Sequence, residues 1–78
     1  MHMCKFKEGD RVVYMPWGGP QSNVAGTVIT VCEEKSSFPT AGPIFLLEVI
    51  LDTAELIEDE ASCWISEQDY ITQAYIPF

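Results

Sequence analysis

The sequence predicts an all-β fold, and three observations carry that prediction. Runs rich in β-branched and aromatic residues recur along the chain, most clearly over residues 26–34 and 44–51. Strong turn signals separate them: Gly9-Asp10, Gly18-Gly19-Pro20, and the prolines at 39 and 43. The chain is 78 residues long and 47% hydrophobic, which suffices for one small core and excludes intrinsic disorder. Residues 1–5 read as an N-terminal tail and residues 6–76 as a single domain, with no internal repeat or interdomain linker.

The first strand is expected over 10–16. It follows the Gly9-Asp10 turn and stops at Pro16, with Val12 and Tyr14 on one face and Arg11, Val13 and Met15 on the other. Trp17 to Ala25 is loop-like. A second strand, 26–34, is entered through Gly26, and a second loop covers 35–43. Residues 44–60 fit two patterns. As a helix they align Glu48, Asp52, Glu55 and Asp59 in one acidic stripe; as strands they place Phe45, Leu47, Val49 and Leu51 on one face. The β-branched and aromatic content of 44–50, with no capping residue directly before Ile44, favours strands at 44–51 and 55–65 joined near Asp52-Thr53-Ala54-Glu55. Ser66, followed three residues later by Asp69, has the form of a helix N-cap, so one helical turn is expected near 66–70. A last short strand is expected at 71–76. The expected core is Val12, Tyr14, Val28, Phe45, Leu47, Val49, Leu56, Ile65 and Ile71.

This order of elements resembles that of the Src-homology-3-like small barrels common in bacterial and phage proteins. The residues carrying the resemblance are Gly9-Asp10-Arg11-Val12-Val13-Tyr14, Gly26-Thr27-Val28 entering the second strand, Val49 to Asp52 before a turn, and the acidic turn Glu67 to Asp69. The resemblance implies a five-stranded barrel over about residues 6–76. It assigns no function, because such barrels serve translation, transcription, chromatin reading, peptide binding and enzyme appendages. Relatives that bind nucleic acid usually carry basic loops, which this sequence lacks in its second half. Peptide-binding relatives present exposed aromatics; the candidates here are Tyr14, Trp17, Phe38, Trp64 and Tyr70, most of which a small barrel also needs for its core.

Charge is distributed unevenly. Residues 1–35 hold four acids and four bases, whereas 36–78 hold Glu48, Asp52, Glu55, Glu58, Asp59, Glu60, Glu67 and Asp69 with no Lys or Arg, so the net charge of -8 belongs to the second half. Such a field repels phosphate backbones and disfavours direct nucleic-acid binding. A protein partner with a basic surface is the complementary expectation.

Catalytic and metal-binding patterns are missing from the sequence. Cys4, Cys32 and Cys63 are odd in number and widely spaced, which reads as reduced thiols, Cys32 and Cys63 half-buried, and neither a disulfide framework nor a zinc site. The single histidine, His2, lies at a chain end. Gly18-Gly19-Pro20 is a turn and not a phosphate loop, and residues 52–60 lack the glycine and oxygen spacing of a calcium loop. No apolar run approaches membrane-spanning length, and no signal peptide is evident, so the cytoplasm is expected. The expected function is a non-catalytic acidic protein-interaction module that uses no cofactor. Its contacts would come from Glu48, Asp52, Glu55, Glu58, Asp59 and Glu60 together with Trp17 and Trp64 as exposed aromatics. The alternative is an inhibitor that mimics nucleic acid, with these carboxylates standing in for phosphates in the basic channel of a nucleic-acid-binding protein.

Overall fold

The structure, a computed structural model, describes residues 4–34 and 44–74. Among the described residues five antiparallel strands form one sheet: β1 (Arg11–Tyr14), β2 (Ala25–Glu34), β3 (Ile44–Leu51), β4 (Leu56–Glu60) and β5 (Trp64–Ser66), in the order β4-β3-β2-β1-β5. A 3-10 turn, Ala61–Cys63, separates β4 from β5, and a helix, α1 (Glu67–Ala74), follows β5. The all-β expectation holds, with a helix added at its end. Among the described residues β4 and β5 are the two edges, and the sheet is not closed into a barrel.

The ambiguous segment 44–60 is a hairpin. Leu47, Val49 and Leu51 alternate into the core with Val12, Val28, Phe6 and Trp64, which a helical stripe would not allow. Three residues, Asp52 to Ala54, close the hairpin; Ala54 takes the left-handed conformation (φ 74°), and its N–H donates to the Leu51 carbonyl at 2.8 Å. The Leu51 N–H donates to the Glu55 carbonyl, also at 2.8 Å. That bond sets the phase of the β3–β4 ladder. Val49–Ile57 and Leu47–Asp59 are the hydrogen-bonded pairs, while Ile50–Leu56, Glu48–Glu58 and Leu46–Glu60 are the non-hydrogen-bonded pairs with closer side chains.

β2 pairs with β1 through its first residues and with β3 along most of its length, and an irregularity between Val28 and Thr30 bends it between the two partners. Gly26 permits the close crossing. A Cβ there would lie 2.6 Å from the Ile50 carbonyl oxygen and 2.9 Å from the Leu51 Cα. α1 packs against β1 and β5, so Val13, on the face of β1 opposite Val12, is buried as well.

Several expectations are corrected. The strand expected over 55–65 is two strands split by the 3-10 turn, so the fifth strand is Trp64–Ser66, and residues 71–74 are helical. Residues 75 and 76 of the expected last strand, Phe38 and His2 lie outside the described residues. Helix prevails because the Ser66 hydroxyl accepts the Asp69 N–H at 3.1 Å and acids occupy the first turn, extending the expected single turn near 66–70. Leu56 is 58% and Ile71 43% exposed, so neither belongs to the core; Phe6, Val13, Leu51 and Trp64 do. Cys4, in the segment read as a tail, packs against the core.

Candidate interaction surface

The six candidate acids do not form one surface. Their strand positions sort them into three groups with different chemistry. Asp52 and Glu55 flank the β3–β4 turn, and each is engaged. Asp52 accepts two hydrogen bonds from the Arg11 guanidinium, at 2.9 and 2.7 Å, and Glu55 accepts one from the Gln21 amide at 3.1 Å. Arg11 also donates to Glu67 on α1 and to the Thr27 hydroxyl, each at 3.0 Å. One base from the balanced half of the chain thus ties β1 to the hairpin turn and the helix. The hydrogen bonds that it donates to Asp52 and Glu67 raise the guanidinium's already high pKa, and Arg11 lowers that of Asp52 in return.

Asp59 points to the inner side of the sheet and accepts a hydrogen bond from the Tyr14 hydroxyl at 2.5 Å. This bond pushes the Tyr14 phenol up to about 12, with burial adding to the effect. It also lowers the Asp59 carboxyl below its ordinary value, helped by the Glu60 N–H at 2.8 Å. Tyr14 stands directly across from Trp64, with ring centroids 4.8 Å apart. Burial, followed by the Asp59 charge, raises the neighbouring Cys63 thiol, which argues against a reactive thiolate. All three cysteines are free; Cys63 is half-buried and Cys32, expected to be half-buried, is exposed.

Glu48, Glu58 and Glu60 make the third group. They project from the outward face of the hairpin, and among the described residues no base pairs with them. Glu48 lies directly opposite Glu58 in a non-hydrogen-bonded pair, where cross-strand side chains approach most closely. The next pair on the same face is apolar: Ile50 and Leu56 are 45% and 58% exposed. The Leu56 half of this exposed aliphatic pair was missed in the sequence because either parity of Leu56-Ile57 fits a strand.

The two tryptophans separate completely. Trp64 is 4% exposed and fills the core, which corrects its reading as an exposed contact; its indole N–H has no partner among the described residues. Trp17 is 91% exposed. It stands on the β1–β2 loop, whose base is closed by the Asn23 N–H to the Tyr14 carbonyl at 2.8 Å and the Tyr14 N–H to the Val24 carbonyl at 3.1 Å.

A cleft of about 420 Å³ lies between Phe6, Arg11 and the start of α1, but the guanidinium lining it is already held by Asp52 and Glu67. Among the described residues no three His, Cys, Asp or Glu side chains converge to hold a metal ion, and no helix is long and apolar enough to cross a membrane. No family model matches this chain, and no curated protein or solved structure matches it either.

Proposed function

We propose that this chain is a non-catalytic interaction module that docks on a basic protein surface through the outward face of the β3–β4 hairpin, with Trp17 as a second contact. The observation that carries the reading is the Glu48–Glu58 pair. Two like charges in the closest cross-strand position destabilise a sheet, so folding alone does not favour the arrangement, and a cationic partner relieves it. Ile50 and Leu56 add apolar area beside the acids, and an almost fully exposed tryptophan is of the residue type that dominates protein interfaces. Three free cysteines fit a reducing compartment, the cytoplasm.

The Src-homology-3-like small-barrel reading is supported by the strand order, by the 3-10 turn immediately before the last strand, and by the pairing of that strand with β1. It is also supported by the Tyr14–Asp59 bond. β1 and β4 have β2 and β3 between them, so the bond needs a strongly coiled sheet. The nucleic-acid-mimic reading is less favoured, because a phosphate-like rail would need the carboxylates that Arg11, Gln21 and Tyr14 already hold.

The test compares the wild type with a Glu48→Gln, Glu58→Gln, Glu60→Gln variant. A basic partner is recovered from lysate at low salt, and association rates are then measured over a salt series. The variant should fold normally, associate more slowly and show a flatter salt dependence. Identical rates and slopes would reduce the acids to solubilising groups.

A further inference from the structure

We infer that the free edge of β4 is a strand-addition site for a basic, extended segment of a partner protein. This rests on the acidic-face reading and supplies its mode of contact. Among the described residues β4 pairs only with β3, and the Leu51–Glu55 bond fixes which backbone groups that pairing uses. Ile57 and Asp59 turn theirs toward β3. Leu56, Glu58 and Glu60 turn theirs to the open edge.

The three outward N–H groups are not equivalent. The Glu60 N–H is taken by the carboxylate of Asp59 at 2.8 Å, which leaves those of Leu56 and Glu58. They are two residues apart, roughly 7 Å, which is the repeat at which an added antiparallel strand supplies carbonyl oxygens. Leu56 and Glu58 are both exposed.

Charge selects the occupant. A residue of the added strand opposite Glu58 would bring its side chain within about 5 Å of that carboxylate, with Glu48 on the other side, so Lys or Arg at alternate positions is the complementary pattern. A second copy of this chain is the wrong occupant. Antiparallel pairing of β4 with itself centred on Glu58 would set Glu58 against Glu58 and Leu56 against Glu60. The other edge, β5, is three residues long and is packed by α1.

The probe is a capped synthetic peptide of alternating Lys and Val, roughly eight residues long, added to the intact protein at low salt. At saturation, amide hydrogen exchange at Leu56 and Glu58 should slow at least about tenfold, while Glu60, already bonded, changes little. Leu56→Pro removes one edge N–H at the first residue of a strand without altering charge, and should weaken binding about fivefold relative to Leu56→Ala. The same peptide with N-methylated backbone amides on the strand-facing side should bind about tenfold more weakly, which tests the mode even where the proline variant does not fold.

Equal affinity for both peptides, with exchange at Leu56 and Glu58 unchanged, would overturn strand addition and leave the acidic-face reading standing. No binding at low salt would overturn both. Self-association that protects the same two amides without peptide would give the edge to a second copy and overturn the inference.

Discussion

Replacing Tyr14 by Phe removes one hydroxyl and with it the hydrogen bond that joins β1 to β4, two strands that are not neighbours in the sheet. The ring stays, so the contact with Trp64 at 4.8 Å is preserved and the change isolates the hydrogen bond. A bond to a charged acceptor contributes about 1.5–3 kcal/mol, and partial exposure of the pair brings this one to the bottom of that range or just below it, about 1–1.5 kcal/mol. For a domain of this size that corresponds to a melting point roughly 5–10 °C lower. Urea unfolding followed by tryptophan emission gives the loss, and a double-mutant cycle with Asp59→Asn separates the pair from its surroundings. The pH dependence has a definite sign. The phenol is raised to about 12, so its contribution is complete below its unfolded value of 10.0 and is lost as pH rises through 12. The carboxyl is lowered from 3.8, so its contribution is complete above that value and is lost as pH falls through the folded one. The stability gap between wild type and Tyr14→Phe should therefore be flat near neutrality and close at both extremes. An unchanged midpoint, with Tyr14 titrating near 10, would show that the sheet does not coil enough to bring β1 and β4 together.

Gly26→Ala should destabilise by about 1–3 kcal/mol or prevent folding, because the added methyl group meets the β3 backbone at the Ile50 carbonyl oxygen and the Leu51 Cα; a neutral result in urea unfolding would mean β2 and β3 are not so close. Ala54→Gly should stabilise by about 0.5–1 kcal/mol, the left-handed strain relieved less the entropy of glycine in the unfolded chain, and the same unfolding assay reads it. Leu47→Ala, at a fully buried position, should cost about 2–5 kcal/mol in that assay. Glu48→Gln should raise stability by about 0.2–1 kcal/mol at low salt, the gain fading in high salt, as measured by thermal melts across ionic strength.

The sheet was legible where composition and punctuation agree. Gly26 and the β-branched run behind it mark β2, and the Phe-Leu-Leu-Glu-Val-Ile pattern marks β3 to its ends. The region after Glu60 was less legible. Ile71 and the residues after it alternate as a strand would, but β1 had already taken Trp64–Ser66 as its outer neighbour, and the Ser66 cap with helix-forming Glu67, Gln68 and Ala74 continued into two turns. Trp64 could be read as a surface aromatic because nothing in its neighbours reveals that it stands across from Tyr14. The Arg11–Asp52 and Tyr14–Asp59 contacts join residues 41 and 45 positions apart, and only the strand order brings them together. The acid-rich half was visible at once. Its division into held and unheld carboxylates depended on parity within β3 and β4, which the turn at 52–54 decides.

That division bears on what an acidic domain of this kind is for. If the carboxylates only conferred solubility, their places would be interchangeable and the fold would gain by spreading them apart. Instead Asp52 and Asp59 are bound into the scaffold by Arg11 and Tyr14, so neutralising them should loosen the fold and say little about binding. Glu48, Glu58 and Glu60 have no such role, and Glu48 and Glu58 oppose folding by facing each other. Stability and association should therefore move in opposite directions on the outward face and together at the inward one. A substitution series read in both assays separates a working surface from a structural one, whereas removing Glu55, Glu58 and Asp59 together would mix the two, since Asp59 secures Tyr14 while Glu58 faces solvent.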